Sequence, residues 1–257
     1  MRLDVYLVSA RLCQSRQRGR ALIENGQVTV DGKVCTKPSL DVEGREVLIT
    51  GEDIPYVSRG GLKLEGALDK FKMDVTGLVC CDIGSSTGGF THCLLLKGAE
   101  YVFAVDSGSN QLHSDLRSDP RVKVMENFNA RYLSHEDLGR KCDLAVMDVS
   151  FISQSLIYGA VSSVLDEGGS FISLIKPQFE AGREALNKKG IVTDRHHHER
   201  VICSLLRTGL EYGLFMTDIE VSPITGGDGN IEYLALFKKG ENTPVSESVI
   251  KKIVYRK

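Results

Sequence analysis

This chain of 257 residues is informative first for what it lacks. No apolar run approaches the roughly 18 residues that a membrane-spanning helix needs. Its start, Met-Arg-Leu-Asp-Val-Tyr, does not follow a secretory signal pattern. Charge of one sign is not in excess. The formal net charge is −2, so contact with nucleic acid must come from a local patch and not from a basic protein surface. The seven cysteines are odd in number, scattered at 13, 35, 80, 81, 93, 142 and 203, and never spaced as C-x-x-C. That argues against a disulfide framework and reads as reduced thiols in a cytoplasmic protein. The glycine pattern G-x-G-x-x-G is absent, which excludes the dinucleotide fingerprint, and no Gly-Lys-Ser/Thr supplies a phosphate-binding loop. The remainder, 42% hydrophobic and 26% charged, suits one good core and a small extra domain.

What is present centres on Leu78-Val-Cys-Cys-Asp-Ile-Gly-Ser-Ser-Thr-Gly-Gly-Phe-Thr91. An apolar run ends in Asp82, glycines follow at 84, 88 and 89, and a helical pattern continues through Leu96. The spacing predicts a buried strand, a tight turn and a helix N-terminus, with glycine where the backbone turns sharply or a ligand comes close. Open α/β sheets bind cofactors in such crevices, so Asp82, Gly84, Ser85, Gly88, Gly89 and Phe90 are candidate cofactor residues.

Downstream, the pattern alternates as a doubly wound sheet does. Tyr101–Val105 ends in Asp106, about 20 residues past the turn, where a carboxylate can accept both ribose hydroxyls of a nucleoside. After the strand Val122–Met125 come Asn127 and Phe128. They are candidates for a base edge and base face, or else a loop amide and a core ring. Cys142–Met147 leads to Asp148, and Ser170–Ile175 leads to Lys176 and Pro177. Residues 180–195 read as a long active-site loop, followed by a helix from about His198 to Gly213. Strands near Glu220 and over Ile231–Phe237 flank a Gly-rich hairpin turn, and Glu232 early in the last strand needs solvent or a partner. His196, His197 and His198 point in different directions on a helix, so no metal site is expected.

Ahead of this, residues 3–12 and Arg16 to Asn25 read as two helices, the second capped by Ser15 and ended by Gly26. Val28–Val30, Asp31-Gly32 and Lys33-Val34 read as a hairpin, and residues 47–50 as a short strand. Arg11, Arg16, Arg18 and Arg20 occur with no acid between Asp4 and Glu24, so RNA phosphates could lie along that face. After a linker at 51–56, a helix starts at Ser58 or the glycine pair and carries Lys63 in its first turn.

The N-terminal pattern S-R-x-x-x-R-x-L-I-x-x-G-x-V-x-V-x-G resembles the S4 RNA-binding domain. The glycine turn resembles the first motif of S-adenosylmethionine (SAM) methyltransferases of the ribose 2′-O branch. Together with V-S-R-G-G-x-K-L, D-V-S-F-I-S, I-K-P-Q-F-E and G-N-x-E-Y-L, the whole is similar to the TlyA family, within the RrmJ/FtsJ class. That resemblance implies a Rossmann-like α/β sheet with an antiparallel last strand behind a small α+β S4 domain. The domains would be residues 1–55, 56–240 and a basic tail, 241–257. It implies a Lys63-Asp148-Lys176-Glu232 tetrad, RNA contact by Arg59 as well, SAM as cofactor and no metal. The activity implied is 2′-O-methylation of a cytidine in ribosomal RNA, free or within a subunit, 23S first and 16S in some members. The abrupt start and short tail look like the narrower, large-subunit type. Lys176 would take the hydroxyl proton or stabilise the alkoxide, Asp148 would orient it, and Lys63 with Glu232 would fix the geometry. Two rivals stand beside this. A membrane-active protein, after the family's older name of haemolysin, would want an amphipathic or spanning segment, and none stands out. A catalytically silent RNA-binding assembly factor would need neither Asp106 nor the tetrad. The oligomeric state is not legible.

Overall fold

The computed structural model describes residues 1–13, 16–24, 26–50, 54–226 and 229–256, without the side chains of Gln17, Arg18 and Ala21. The expected helix cap Ser15, the side chain of Arg18 and part of the 51–56 linker therefore lie outside the described residues. The chain forms two compact units, Met1–Arg59 and Gly60–Lys257.

In the first unit, α1 (Leu3–Ser9) and α2 (Arg16–Glu24) pack together, and β1 (Val28–Val30), β2 (Lys33–Val34) and β3 (Val47–Ile49) form a sheet in the order β2-β1-β3. Asp31 and Gly32 both have positive φ, 51° and 75°, as the two-residue hairpin turn requires. Leu3, Leu7, Leu22, Ile23, Val28 and Val47 are among the residues that close a small core of its own.

The second unit begins with α3 (Gly60–Phe71). It continues through β4 (Val79–Ile83), α4 (Gly89–Leu96), β5 (Tyr101–Val105), α5 (Ser114–Arg117), β6 (Val122–Met125), α6 (His135–Leu138), β7 (Cys142–Met147) and α7 (Tyr158–Val164). It ends with β8 (Leu165–Ile175), α8 (Pro177–Glu180), α9 (Arg195–Glu211), β9 (Leu214–Val221), β10 (Tyr233–Lys239) and α10 (Glu247–Val254). The seven strands lie in the order β6-β5-β4-β7-β8-β10-β9. The first five are parallel, and β10 runs against both of its neighbours. Every residue of β4 is buried, as a central parallel strand covered on both faces must be.

Three details differ from the sequence reading. Helix α9 starts at Arg195 because the Asp194 carboxylate caps it, accepting the His196 N–H at 2.9 Å. Strand β9 starts at Leu214, several residues before the stretch around Glu220. Residues 241–257, expected as a basic tail, contain α10, whose Ile250, Ile253 and Val254 are buried in the main core. The basic end is partly spent as well, since Arg256 pairs with Glu220 at 2.7 Å. Among the described residues, no helix is long and apolar enough to cross a membrane. None of the seven cysteines is in a disulfide.

Candidate active site

The glycine turn sits where β4 leaves the sheet. Gly84 has φ +83°, and a Cβ there would stand 2.6 Å from the carbonyl oxygen of Asp148, so only glycine lets the ends of β4 and β7 come this close. Gly88, at φ +96°, would drive a Cβ into the side chains of Leu116 and Leu112. Below the turn, the Asp82 carboxylate is fully buried. Its Oδ2 accepts the Thr91 N–H (2.9 Å) and hydroxyl (2.6 Å), which anchors Gly89 and the start of α4, while Oδ1 has no hydrogen-bond partner among the described residues. Burial pushes the Asp82 carboxyl up to about 7, and the nearby Asp148 and Asp106 add to the rise. Ser85 is nearly buried at the turn. Phe90, expected at the cofactor, is only 3% exposed and lies on the buried face of α4.

Beyond β5, Asp106 accepts the N–H groups of Ser86 (2.8 Å) and Gly108 (2.7 Å), one on each oxygen, which leaves a lone pair on each for ribose hydroxyls. Asn127 has φ +56° and is exposed, and its N–H donates to the Gly108 carbonyl at 2.8 Å. Phe128 packs partly against the main core. Glu126, which the sequence reading passed over, organises this edge. Its carboxylate accepts N–H groups from Asn110, Gln111 and Leu112 and a bond from Arg117. The Arg117 guanidinium above all holds the Glu126 carboxyl down to about 2.

The four tetrad side chains meet in two pairs. Lys176 Nζ stands 2.6 Å from Asp148 Oδ1, an ionic contact off the hydrogen-bonding direction, and donates to Ser150 Oγ at 2.8 Å. Lys63 Nζ donates to Glu232 Oε2 at 2.6 Å, with Glu232 only 3% exposed. The fold brings these groups together through sheet order. Asp148 follows β7 and Lys176 follows β8, while Glu232 directly precedes β10, whose first residue Tyr233 lies opposite Ile175. The reversed direction of β10 therefore puts its N-terminal end beside the C-terminal end of β8. Two glycines clear the way for the second pair. A Cβ on Gly66, one turn after Lys63, would come within 2.7 Å of Pro223, and one on Gly226 would stand 2.6 Å from Glu232 Oε1.

Phe151 is a second residue the sequence did not single out. It is 91% exposed, takes φ +63°, and its ring meets that of Phe179 at 4.9 Å beside Lys176. A bulky residue at positive φ is strained, and strain of this kind collects at functional sites. The 186–192 stretch is anchored by buried Asn230, which accepts from Val192 N and donates to the Gly190 carbonyl. His198 spends both ring nitrogens on the Val192 carbonyl and the Tyr233 hydroxyl, each at 2.9 Å. In the first unit, Arg16 binds buried Asp4 at 2.9 Å and Arg20 lies 3.7 Å from Glu24, so two of the candidate RNA-binding arginines have acids as neighbours after all. Arg11 is exposed, and Arg59 closes this unit.

Three carboxylates around a glycine turn, one of them buried with an unsatisfied oxygen, suit a nucleoside that carries positive charge. S-adenosylmethionine is such a molecule, and these residues fit it. Over residues 56–239 the chain matches the FtsJ-like methyltransferase family, and over residues 1–48 the S4 domain. It is 38% identical over 257 residues to the 16S/23S rRNA (cytidine-2'-O)-methyltransferase TlyA of Mycobacterium tuberculosis, covering 99% of this chain and 96% of that protein. It is 34% identical to the 23S rRNA (cytidine-2'-O)-methyltransferase TlyA of Campylobacter jejuni, covering 93% and 100%. A solved structure from Streptococcus thermophilus that carries the hemolysin name is similar with a TM-score of 0.80 at 40% identity, over 99% of this chain and 94% of that one. On its glycine turn, its sheet order and these relatives, the chain belongs to the FtsJ-like, SAM-dependent methyltransferases with an N-terminal S4 domain, the TlyA family.

Proposed function

We propose that this protein methylates the 2′-hydroxyl of a cytidine in ribosomal RNA, with 23S rRNA as the first target and 16S rRNA as the second to be tried. The observation that carries the reading is the row formed by the glycine turn, Asp148, Lys176 and Glu232 with Lys63, on the neighbouring strands β4, β7, β8 and β10. SAM supplies, when bound, a methyl group on a cationic sulfur. Asp106 would hold the nucleoside ribose, and Asn127 is free to meet a base edge. Lys176, held by Asp148 and Ser150, would grip the attacking hydroxyl oxygen and stabilise the charge it develops. As that oxygen attacks, its proton would be taken up at the Lys176–Asp148 pair. Glu232 and Lys63 neutralise each other and keep the rim rigid, so the rate rests mainly on alignment. The cations Arg11, Arg16, Arg18, Arg20 and Arg59 would supply phosphate contacts in the S4 unit. A ribosomal substrate implies a cytoplasmic protein that meets rRNA or an assembled subunit.

The test is transfer of labelled methyl from SAM to separated ribosomal subunits and to naked rRNA, with wild type beside Lys176→Ala. Label should resist alkaline cleavage of the neighbouring phosphodiester, as a 2′-O-methyl does, and should vanish with the variant. Unlabelled RNA, despite binding of both SAM and rRNA, would sink the reading.

A further inference from the structure

The segment Asp148–Gln154 connects β7 to the turn before α7 and carries Ser150 and Phe151 at the rim. Among the described residues, no backbone N–H from 149 to 153 donates to a backbone carbonyl. Its conformation is held by side chains, and it holds a phenylalanine at φ +63°. A strained backbone persists only where its surroundings over-determine it.

Those surroundings come from one helical turn. Lys176, the N-cap of α8, grips the front of the segment through Asp148 and Ser150. Glu180, four residues on and so on the same face of that turn, grips the back. Its Oε1 accepts the Gln154 N–H at 2.8 Å and its Oε2 accepts the Ser153 hydroxyl at 2.7 Å. Between them, Phe179 lays its ring on that of Phe151. Gln154 is also tied to β8, donating to the Leu174 carbonyl (2.6 Å) and accepting from Ser173 Oγ (2.5 Å). Holding Glu180 there has a cost, since burial pushes its carboxyl up from the ordinary range.

We propose that Glu180 is a positioning residue for methyl transfer, and that Lys176 and Glu180 together clamp both ends of the Asp148–Gln154 segment so that Asp148, Ser150 and Phe151 stand ready for the RNA. This rests on the role proposed above for the Lys176–Asp148 pair. It gives the final residue of I-K-P-Q-F-E a task that no tetrad position covers. Glu180 touches no reacting atom; it acts through the segment it holds.

The experiment compares Glu180→Ala, Glu180→Gln and Lys176→Ala in the full-length protein. It reads kcat on rRNA, the dissociation constant for SAM, and hydrogen–deuterium exchange of the peptide spanning 148–156. Misplacement of catalytic groups by about 1 Å can cost about 100-fold, so Glu180→Ala should lower kcat by about 30- to 100-fold. SAM affinity should stay within about twofold, and exchange over 148–156 should accelerate. Glutamine keeps an acceptor for the Gln154 N–H and a partner for the Ser153 hydroxyl, so Glu180→Gln should restore kcat to within about threefold of wild type. A Glu180→Ala protein with kcat within about threefold of wild type overturns the proposal, as does equal impairment in the alanine and glutamine variants. Should Glu180→Ala fail to fold, Ser153→Ala decides, because it removes one of the two bonds. Faster exchange with a kcat lowered about three- to tenfold supports the clamp, and an unchanged kcat refutes it. Full activity in Lys176→Ala would overturn the role of that lysine, and with it the proposal, even if the exchange data showed the segment held by Glu180.

Discussion

Asp82→Asn isolates the buried carboxyl under the glycine turn. Asp82 is fully buried, and its carboxyl is pushed from an ordinary 3.8 up to about 7. A carboxyl raised by folding contributes stability that is complete below its unfolded value and is lost as the pH climbs through the folded one. The loss therefore runs from about pH 4 to about pH 7. About three units at about 1.4 kcal/mol each set its size at about 4 kcal/mol or somewhat less. Asparagine keeps an oxygen for the two Thr91 bonds and carries no charge at any pH. The variant should match wild type near pH 4, exceed its unfolding free energy increasingly up to about pH 7, and hold that advantage to pH 8. Urea unfolding followed by circular dichroism every half unit of pH would show this, since the chain has no tryptophan to report by fluorescence. A cationic cofactor should also favour the ionised acid, so SAM binding to wild type near pH 6 should release a proton that Asp82→Asn does not. Calorimetry in two buffers of different ionisation enthalpy measures it. If the stability curves of the two proteins run parallel from pH 4 to pH 8, the acid is ionised in the folded protein and the reasoning is wrong.

Glu232→Ala leaves the Lys63 ammonium buried alone and should cost about 3–5 kcal/mol in chemical denaturation. Replacing both partners by apolar residues (Lys63→Met with Glu232→Leu) should recover much of that stability without recovering methyl transfer. Gly84→Ala meets both a positive φ and the Asp148 carbonyl at 2.6 Å; it should lose at least about 1 kcal/mol of stability and weaken SAM binding by calorimetry. Phe151→Gly should move two assays in opposite directions. Relief of strain should raise stability by up to about 1 kcal/mol, while methyl transfer to rRNA falls.

The parts of the site legible in the sequence are those fixed by strand ends. Asp106, Asp148 and Lys176 each close an apolar run, and parallel strands deliver such residues to one rim. Glu232 was legible as a charge that had either to face solvent or to find a partner, but that partner came from the family resemblance, because nothing local links it to Lys63. Ser150, Phe151 and Glu180 stayed hidden for the same reason. Their meaning lies in contacts between the segment after β7 and the turn of α8, 26 or 27 residues apart in the chain. The arginine run shows the reverse error: absence of an acid within 5–23 did not prevent Asp4 and Glu24, at its borders, from meeting Arg16 and Arg20. The C-terminal helix is disguised by its lysines, because only Ile250, Ile253 and Val254 on one face mark it as part of the core.

The reversed strand also has a consequence for how the enzyme comes into being. Asp148 and Lys176 belong to neighbouring parallel strands and can meet once β8 is laid on β7. Lys63 and Glu232 are 169 positions apart and can meet only when β10 slots in between β8 and β9. Contacts of such long range form late, since loop closure must come first. A nascent or partly folded chain would thus hold one lysine–acid pair and lack the other, and the catalytic rim would be whole only when the last strand is in place.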